Sequence, residues 1–334
     1  MAQTPAQGLT RIGDDVWAFL RPRGGWREAN TGLVVAPGSA SLVVDTMWDV
    51  AWARRVAQVQ QPLVSRAPIT EAVNTHSDGD HWWGNDTLPA TARITTSAAA
   101  RQGMREDLPP AALTVLATAG QLLGRVPGPI GRTGAYMARI PGDARFPRRL
   151  PRMPDHTFDT TERLVVGGRP VDLERLGPAH TAGDVIVHVP DAGVVFSGDL
   201  LFVGSTPVLW HGPLENWTDA LDRLLALDAD VYVPGHGPMC GSAEIREVRD
   251  YWMWLDAAAR PHHARGTRPL DAARALVRSA EFVRFRDWHA PERIVLSLST
   301  LYHVWDGNPP GPPTVVRRAR AFADAEALLR EGTV

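Results

Sequence analysis

Four side chains that can bind a metal ion lie within six consecutive positions of this chain. They are found in the segment Asn74-Thr75-His76-Ser77-Asp78-Gly79-Asp80-His81. In an extended segment His76, Asp78 and Asp80 point the same way, because side chains alternate between two faces. Imidazole and carboxylate together suit zinc, iron or manganese, whereas calcium takes oxygen ligands alone. For this segment alone, a polar loop whose aspartates cap a helix is an equal alternative.

Three later turns or strand ends each add one histidine or aspartate beside a glycine. His180 lies in a turn that leads into a predicted strand, Asp199 follows Gly198 where another strand ends, and His236 stands between two glycines at the end of a third. Glycine lets the backbone approach a crowded centre. This layout predicts ligands gathered along one edge of a sheet.

The strands and helices that must position these residues are predicted from runs of apolar residues and from the turn-forming residues Gly, Pro and Asn between them. Strands are predicted at 16–20, 32–36, 41–45, 69–73, 163–166, 185–189, 194–196 and 230–233. Helices are predicted at 48–60, 98–107, 111–123, 215–227, 243–258, 270–282, 291–305 and 314–331. The pattern is an α/β or α+β fold in which residues 97–157 form an insertion or lid and 241–334 a helical extension.

The amino-acid composition excludes several classes of function. The chain has 334 residues, 44% hydrophobic and 22% charged, so it can bury a core, and its net charge of −2 argues against a general nucleic-acid binder. All 35 basic residues are arginine, which excludes Schiff-base lysine and P-loop chemistry. The single Cys240 excludes a multi-cysteine metal site. Because no apolar stretch approaches the roughly 18 residues that cross a bilayer, we expect a cytoplasmic protein with no membrane partner.

Five short motifs occur in an order that resembles the metallo-β-lactamase superfamily, over about residues 10–240. They are Val43-Val44-Asp45-Thr46, the His76 to His81 loop, His180-Thr181-Ala182-Gly183-Asp184, Ser197-Gly198-Asp199 and Pro234-Gly235-His236-Gly237. The resemblance implies a four-layer αβ/βα sandwich, with two sheets face to face, helices outside and a dinuclear metal site at one edge. The helical insertion and the helical extension would be added to this domain.

The resemblance also implies the ligand set, because the family loop reads H-x-H-x-D-H. One metal would be held by His76 and His180, and the other by Asp80, His81 and His236, with Asp199 between them. We expect one or two divalent ions, with zinc favoured and iron or manganese as alternatives.

Asp78 departs from the family pattern, which has its second histidine at this position. If Asp78 binds the metal, its charge makes the first site harder and less Lewis acidic. If it does not, the first site keeps two histidines and the bridge, and one metal can suffice. A carboxylate here is also similar to the flavodiiron branch of the superfamily, whose loop carries Glu and binds iron.

The activity implied by the resemblance is hydrolysis by a metal-bound hydroxide, with Asp80 or Asp199 relaying the proton. The substrate is expected to be a small, partly apolar ester, thioester or lactone. Two alternatives remain open: an iron-dependent oxygen-activating or redox enzyme, which Asp78 motivates, and a non-catalytic metal-binding scaffold.

Residues near the ligand loop are candidates for the substrate pocket. Trp82 and Trp83 directly follow His81, and His211 comes soon after the Asp199 strand end. Because the chain lacks lysine, we expect an arginine to bind any substrate anion, with Arg125, Arg132 and Arg139 of the insertion as candidates. We expect a small-molecule partner and no nucleic acid, with a homodimer as a further expectation.

Overall fold

The computed structural model describes residues 8–21 and 23–332. Its twelve strands are β1 Leu9–Gly13, β2 Val16–Phe19, β3 Thr31–Ala36, β4 Ala40–Val44, β5 Ile69–Val73, β6 Arg93–Ser97, β7 His156–Phe158, β8 Thr161–Val166, β9 Arg169–Arg175, β10 Val185–Val189, β11 Val194–Phe202 and β12 Val231–His236. Its α-helices are α1 Val50–Val64, α2 Gly79–Trp82, α3 Ala98–Glu106, α4 Pro110–Leu123, α5 Pro129–Arg139, α6 Leu214–Ala226, α7 Ser242–Ala264, α8 Pro269–Val277, α9 Ile294–Trp305 and α10 Val315–Arg330.

The strands form two sheets. The first has seven strands in chain order from β1 to β7, antiparallel as far as β4 and parallel from β4 to β7. The second has five strands in the order β12-β11-β10-β9-β8, in which only β11 and β12 run parallel. The parallel strands send their carboxyl ends to one edge, which is where open α/β sheets place their sites.

The inner faces of the two sheets pack into one core of apolar side chains. Val34, Leu42 and Val73 from the first sheet lie in the same cluster as Leu173 and Val187 from the second. The approach is close, since a Cβ on Gly32 of β3 would lie 2.3 Å from the ring of Phe196. Strands β3, β4 and β11 are buried along their whole length, which explains why they read as continuous apolar runs.

Helices cover the outer faces, which completes the four-layer sandwich expected from the sequence. Helix α1 contributes Leu63 and Val64 to the cluster on the outside of the first sheet. Helices α6 to α9, with Leu328 of α10, pack on the second sheet around Trp217 and Trp252. None of the helices in residues 8–21 and 23–332 is long and apolar enough to cross a membrane.

The insertion lies between β6 and β7 and is bound to the extension. Thr133 of α5 donates a hydrogen bond to Ala319 O of α10 at 2.8 Å, and Arg132 Nε donates to Ala323 O at 3.2 Å. Arg139 pairs with the buried Glu326 at 2.9 Å. Arg132 and Arg139 therefore hold the insertion on α10, and contact of either side chain with a substrate anion stays a prediction.

Candidate metal centre

The predicted site residues meet at the edge where β5, β11 and β12 end. His76 comes three residues after β5, and the short helix α2 carries Asp80 and His81. Asp199 lies within β11, and His236 is the last residue of β12. The turn between β9 and β10 brings in the sixth residue, His180. All six side chains are buried.

Asp199 occupies the middle of the cluster and faces all four imidazoles. Its Oδ1 lies 3.1 Å from His81 Nε2, and its Oδ2 lies 3.4 Å from the Nε2 atoms of His180 and His236 and 3.7 Å from His76 Nε2. One carboxylate can therefore contact both halves of the centre.

Asp80 and Asp78 flank this centre on opposite sides. Asp80 Oδ2 lies 3.2 Å from His236 Nε2, and Asp78 Oδ2 lies 3.2 Å from His180 Nε2. Asp78 stands at the N-cap position of α2, yet its side chain accepts no capping hydrogen bond. The alternative in which Asp78 serves only to cap a helix therefore fails, since its carboxylate is turned toward the histidines.

Three sets of side chains have potential ligand atoms within 4.8 Å of one another. These sets are His76, Asp78 and His180; His76, His81 and Asp199; and Asp80, His81 and His236. The structure thus brings together all seven residues that the sequence analysis named.

Hydrogen bonds behind the histidines set their tautomers. His81 Nδ1 donates to Asp45 Oδ2 at 2.8 Å, and His180 Nδ1 donates to Val208 O at 2.7 Å. Thr75 uses its hydroxyl hydrogen on Asp45, so its oxygen accepts from His76 Nδ1 at 3.0 Å. In its neutral form each of these three rings would direct the Nε2 lone pair into the centre, the arrangement that metal-binding histidines show.

Four polar atoms of these residues are buried and make no hydrogen bond of acceptable geometry: His76 Nε2, His81 Nε2, Asp199 Oδ1 and His236 Nδ1. Buried polar atoms are normally paired, because leaving them unpaired costs about 1–3 kcal/mol each. A divalent ion in the centre could contact the first three of these atoms. Four imidazoles with three carboxylates form a donor set suited to zinc, iron or manganese, so the residues present fit a metal.

The charges of the centre perturb its pKa values in opposite directions. Burial alone lowers the pKa of His180, but its hydrogen bond to Asp78 and the charge of Asp199 outweigh burial and raise the pKa to about 9. For His76, burial and then the positive charge of His81 lower the pKa to about 3. Burial alone would raise the pKa of Asp199, yet the charges of the surrounding histidines hold it well below its usual range.

Two glycines are required by the close packing here. A Cβ on Gly235 would lie 1.9 Å from Asp199 Oδ1. Gly198 has a φ of +53°, and its Cβ would lie 2.7 Å from Thr75 Oγ1. Any larger residue at these two positions would clash with the centre, so the glycines beside the ligand candidates allow the close approach that the sequence predicts.

Asp45 supports the centre, although the sequence analysis gave it no role. It accepts hydrogen bonds from Thr75 N at 2.7 Å, from the Thr75 hydroxyl at 2.7 Å and from His81 Nδ1. Its φ of +58° is a conformation that non-glycine residues rarely adopt. The available signal was an aspartate at the end of a fully apolar strand, in the first of the five motifs.

The three candidate pocket residues lie near the centre in different environments. Trp82 and Trp83 are 2% and 4% exposed and pack with Trp48 and Met104. The half-buried His211 donates its backbone N–H to His180 O at 3.2 Å. Their contact with a substrate stays a prediction.

Sequence reasoning missed a stack of three side chains, Trp210, Trp26 and Arg293, which come from three separate segments of the chain. The guanidinium of Arg293 lies 4.3 Å from the ring of Trp26, which stacks on Trp210 at 6.1 Å. Arg293 is buried, and its Nη1 donates to Ser205 Oγ at 3.1 Å.

Burial lowers the pKa of Arg293, while the charges of nearby Tyr136, Glu292, Asp199 and Asp80 oppose that shift. No local pattern links these positions, so sequence spacing could not reveal them.

The fold and the cluster define an αβ/βα sandwich with a buried His/Asp centre at one sheet edge. The family model of the metallo-beta-lactamase superfamily matches residues 24–236. The chain therefore belongs to the metallo-β-lactamase superfamily, and the family assignment made from the sequence is confirmed.

Relatives in this superfamily differ in activity. The chain is 26% identical over 234 residues to the 2,4-dinitroanisole O-demethylase subunit alpha of Nocardioides sp. (strain JS1661), covering 68% of this chain and 58% of that protein. It is 31% identical over 107 residues to the hydroxyacylglutathione hydrolase of Fuscovulum blasticum, covering 31% of this chain and 41% of that protein. The matches thus span less than two thirds of these curated relatives.

Solved structures show the same fold. The sec-alkylsulfatase Pisa1 from Pseudomonas sp. superimposes with a TM-score of 0.65 and 16% identity, over 90% of this chain and 50% of that one. A metallo-beta-lactamase from Pontibacter korlensis gives a TM-score of 0.52 and 18% identity, over 73% of this chain and 98% of that one. The greater coverage by the alkylsulfatase means that its similarity extends beyond the part of this chain that the lactamase matches.

Proposed function

We propose that this chain is a metal-dependent hydrolase that cleaves an ester, thioester or lactone-type bond in a small, partly apolar molecule. The observation that carries the proposal is the convergence of four imidazoles and three carboxylates at one buried edge, where four polar atoms lack a hydrogen-bond partner. Membership of a superfamily that includes hydrolases supports it.

The chain's own residues divide into two halves around Asp199. His76, Asp78 and His180 would hold one ion, and Asp80, His81 and His236 the other. Bound divalent ions supply Lewis acidity and lower the pKa of a coordinated water to roughly 7. We favour zinc, with iron or manganese as alternatives and a single ion as a variant of the same proposal.

Asp80 and Asp199 are the two candidates for the group that holds and moves a proton. The side chain of Asp80 is 11% exposed and that of Asp199 is 4% exposed, so Asp80 is the more accessible of the two. Asp199 is held among four imidazoles and orients them. We assign proton relay to Asp80 Oδ2 and positioning of the centre to Asp199, with the substrate reaching the centre from the side of Asp78.

A second candidate is an iron-dependent redox enzyme. It is favoured by one observation, the carboxylate of Asp78 at 3.2 Å from His180 Nε2, which enriches one half of the centre in oxygen ligands. The small-molecule partner and the cytoplasmic location stay predictions.

Metal analysis of protein purified without added metal separates these candidates. We expect zinc, removable by a chelator, together with turnover of p-nitrophenyl acetate or a simple acyl thioester that zinc restores. The variant Asp199→Asn should lose this activity, whereas Asp287→Asn, at an exposed position, should keep it. Stoichiometric iron with charge-transfer absorption would favour the redox enzyme. Bound metal with no turnover of any ester, thioester or lactone would favour a scaffold.

A further inference from the structure

Helices α4 and α5 and the turn between them expose an unusual number of large apolar side chains. Of the 14 such side chains exposed among the described residues, seven lie within residues 108–130. They are Leu108, Val115, Leu116, Leu122, Leu123, Val126 and Ile130, and we call them the apolar patch. Val115 and Leu122 are 66% and 65% exposed. Clusters of this kind mark interaction sites, whereas single exposed apolar residues are ordinary.

The patch belongs to a firmly packed hairpin. A Cβ on Gly120 of α4 would lie 2.5 Å from Gly134 O of α5, so the two helices are in close contact. Helix α5 is bound to α10 through Thr133 and Arg139. The inward face of α4 is filled by Ala117 and Gly120, and its outward apolar side chains are not needed for that packing.

Charge is unevenly distributed along the sequence, and the segment that contains the patch is basic. Residues 108–150 contain six arginines and one aspartate, a formal charge of +5. The rest of the chain carries 29 basic and 36 acidic residues, a formal charge of −7. No charged residue occurs between Asp107 and Arg125. The apolar patch is thus uncharged itself and is followed by the most basic part of the protein.

Three arginines of this segment are free to meet an anionic partner. Arg125, Arg148 and Arg149 are exposed, and no carboxylate of the described residues lies within ion-pair distance of them. Each arginine near an anionic membrane surface adds about 1 kcal/mol of attraction, equivalent to about fivefold in binding.

We propose that the hairpin of α4 and α5 docks on the surface of an anionic lipid bilayer, with the apolar patch in the headgroup region and Arg125, Arg148 and Arg149 toward lipid phosphates. Apolar side chains combined with arginine are the signature of such surface-lying helices. A second copy of the chain is a less suitable partner for the patch, because two segments that each have a formal charge of +5 would repel each other.

The sequence expectation of no membrane partner rested on the absence of a spanning segment. Lying on a bilayer requires no such segment, because the hairpin only needs to bury one face. The docking is independent of the metal centre, so it can be tested whether or not the proposed hydrolase activity is found.

Flotation with lipid vesicles tests the proposal on the full chain. We expect binding to vesicles of phosphatidylcholine with phosphatidylglycerol, and much weaker binding to phosphatidylcholine alone. The variant Val115→Glu/Leu122→Glu should bind at least about 100-fold more weakly, since each buried side chain contributes about tenfold. The matched control is Val165→Glu on β8, which is 65% exposed and outside the patch, and it should bind like the wild type.

A second variant tests the role of charge. Arg125→Glu/Arg148→Glu/Arg149→Glu should lose binding to the anionic vesicles, and added salt should weaken the wild type in the same direction. Unchanged circular dichroism verifies that each variant is folded.

Three results would overturn the proposal. The wild type fails to bind anionic vesicles, the Val165→Glu control loses binding as fully as the patch variant, or the wild type forms dimers that Val115→Glu/Leu122→Glu dissociates. The last result would assign the patch to contact between two copies.

Discussion

The two halves of the candidate metal centre are built differently. The half formed by Asp80, His81 and His236 is deeply enclosed, with side chains 11%, 0% and 3% exposed. In the other half, His76 and His180 are equally buried, but the side chain of Asp78 is 29% exposed. The enclosed half keeps every residue that the family resemblance implies, and the open half contains the one departure.

This difference indicates where a metal centre tolerates substitution. A carboxylate is shorter than an imidazole, so replacing histidine by aspartate leaves a gap beside the ion. At the open half, where the side chain of Asp78 is 29% exposed, solvent could fill that gap if an ion were bound. In the enclosed half the gap would remain empty, and the loss of contacts would be uncompensated. Asp78 therefore stands at the position where the change costs least.

The largest effect is expected from Asp199→Asn, because Asp199 joins the two halves. The amide removes the charge that faces four imidazoles and replaces one ligand oxygen by a donor. Since Lewis-acid stabilisation is worth several kcal/mol, we expect activity to fall by at least about 100-fold and metal content to drop in both halves. Metal analysis together with kcat measures this. Loss of metal from one half alone would contradict the bridging role.

The next effect is expected from Asp45→Ala, which acts on the enclosed half through His81. Its removal leaves His81 Nδ1 and Thr75 N without their acceptor. We expect metal affinity to fall by about 10–100-fold, as for other residues that orient ligands. Asp45→Asn should rescue part of the loss, since its amide oxygen can accept from Thr75 N and asparagine tolerates a positive φ. Competition with a chelator gives the affinities, and equal effects of the two variants would contradict the hydrogen-bond explanation.

A smaller effect is expected at the open half from Asp78→Asn. Loss of one weakly enclosed ligand should lower the affinity of one ion by about tenfold and leave the other unchanged. Asp78→His should restore the family pattern and shift metal preference toward zinc. Metal stoichiometry and competition between zinc and iron test this. If both variants keep wild-type occupancy and preference, Asp78 is not a ligand.

The open half should also show a pH dependence. The pKa of His180, raised to about 9, means that in the metal-free chain its Nε2 holds a proton at pH 7. That proton stabilises the metal-free fold fully below pH 6.5, and the stabilisation is lost as pH rises through about 9. A metal must displace the proton, so affinity should rise by up to about tenfold per pH unit toward pH 9.

Titrations of metal affinity at several pH values measure this slope. Asp78→Asn removes the hydrogen bond that contributes most to raising the pKa of His180, so it should flatten the slope between about pH 7 and 9. An equal slope in the variant would show that the proton is not held by this pair.

Much of the fold was predictable because its core strands are short apolar runs between glycine and proline. The helix boundaries of α3, α4, α6 and α10 agree with the predicted ranges to within a few residues. Helix α5 was missed because glycine and proline interrupt it. Its Gly131 is required by tertiary packing, since a Cβ there would lie 1.6 Å from Val126 O.

Four strands, β1, β6, β7 and β9, were also missed, and the last two show why. β9 carries alternating charged and buried residues with a proline near its start, and it is recognisable only once β8 and β10 pair with it. β7 has only three residues, so it is too short to show an alternating pattern in the sequence. In both cases hydrogen bonding to neighbouring strands stabilises a segment whose own sequence indicates a loop.

By itself, the sequence determined which residues stand at the sheet edge, because parallel strands end on the same side and the predicted strand ends and turns carry the histidines and aspartates. Asp199 and His236, at two of these strand ends, stand beside a glycine. Only the tertiary structure decided the direction of the Asp78 carboxylate, the hydrogen bond between His81 and Asp45, and the ion pair between Arg139 and Glu326 of the C-terminal extension. These contacts join residues that the chain keeps far apart or whose side chains can rotate either way. Their geometry exists only after the sheets and helices have packed.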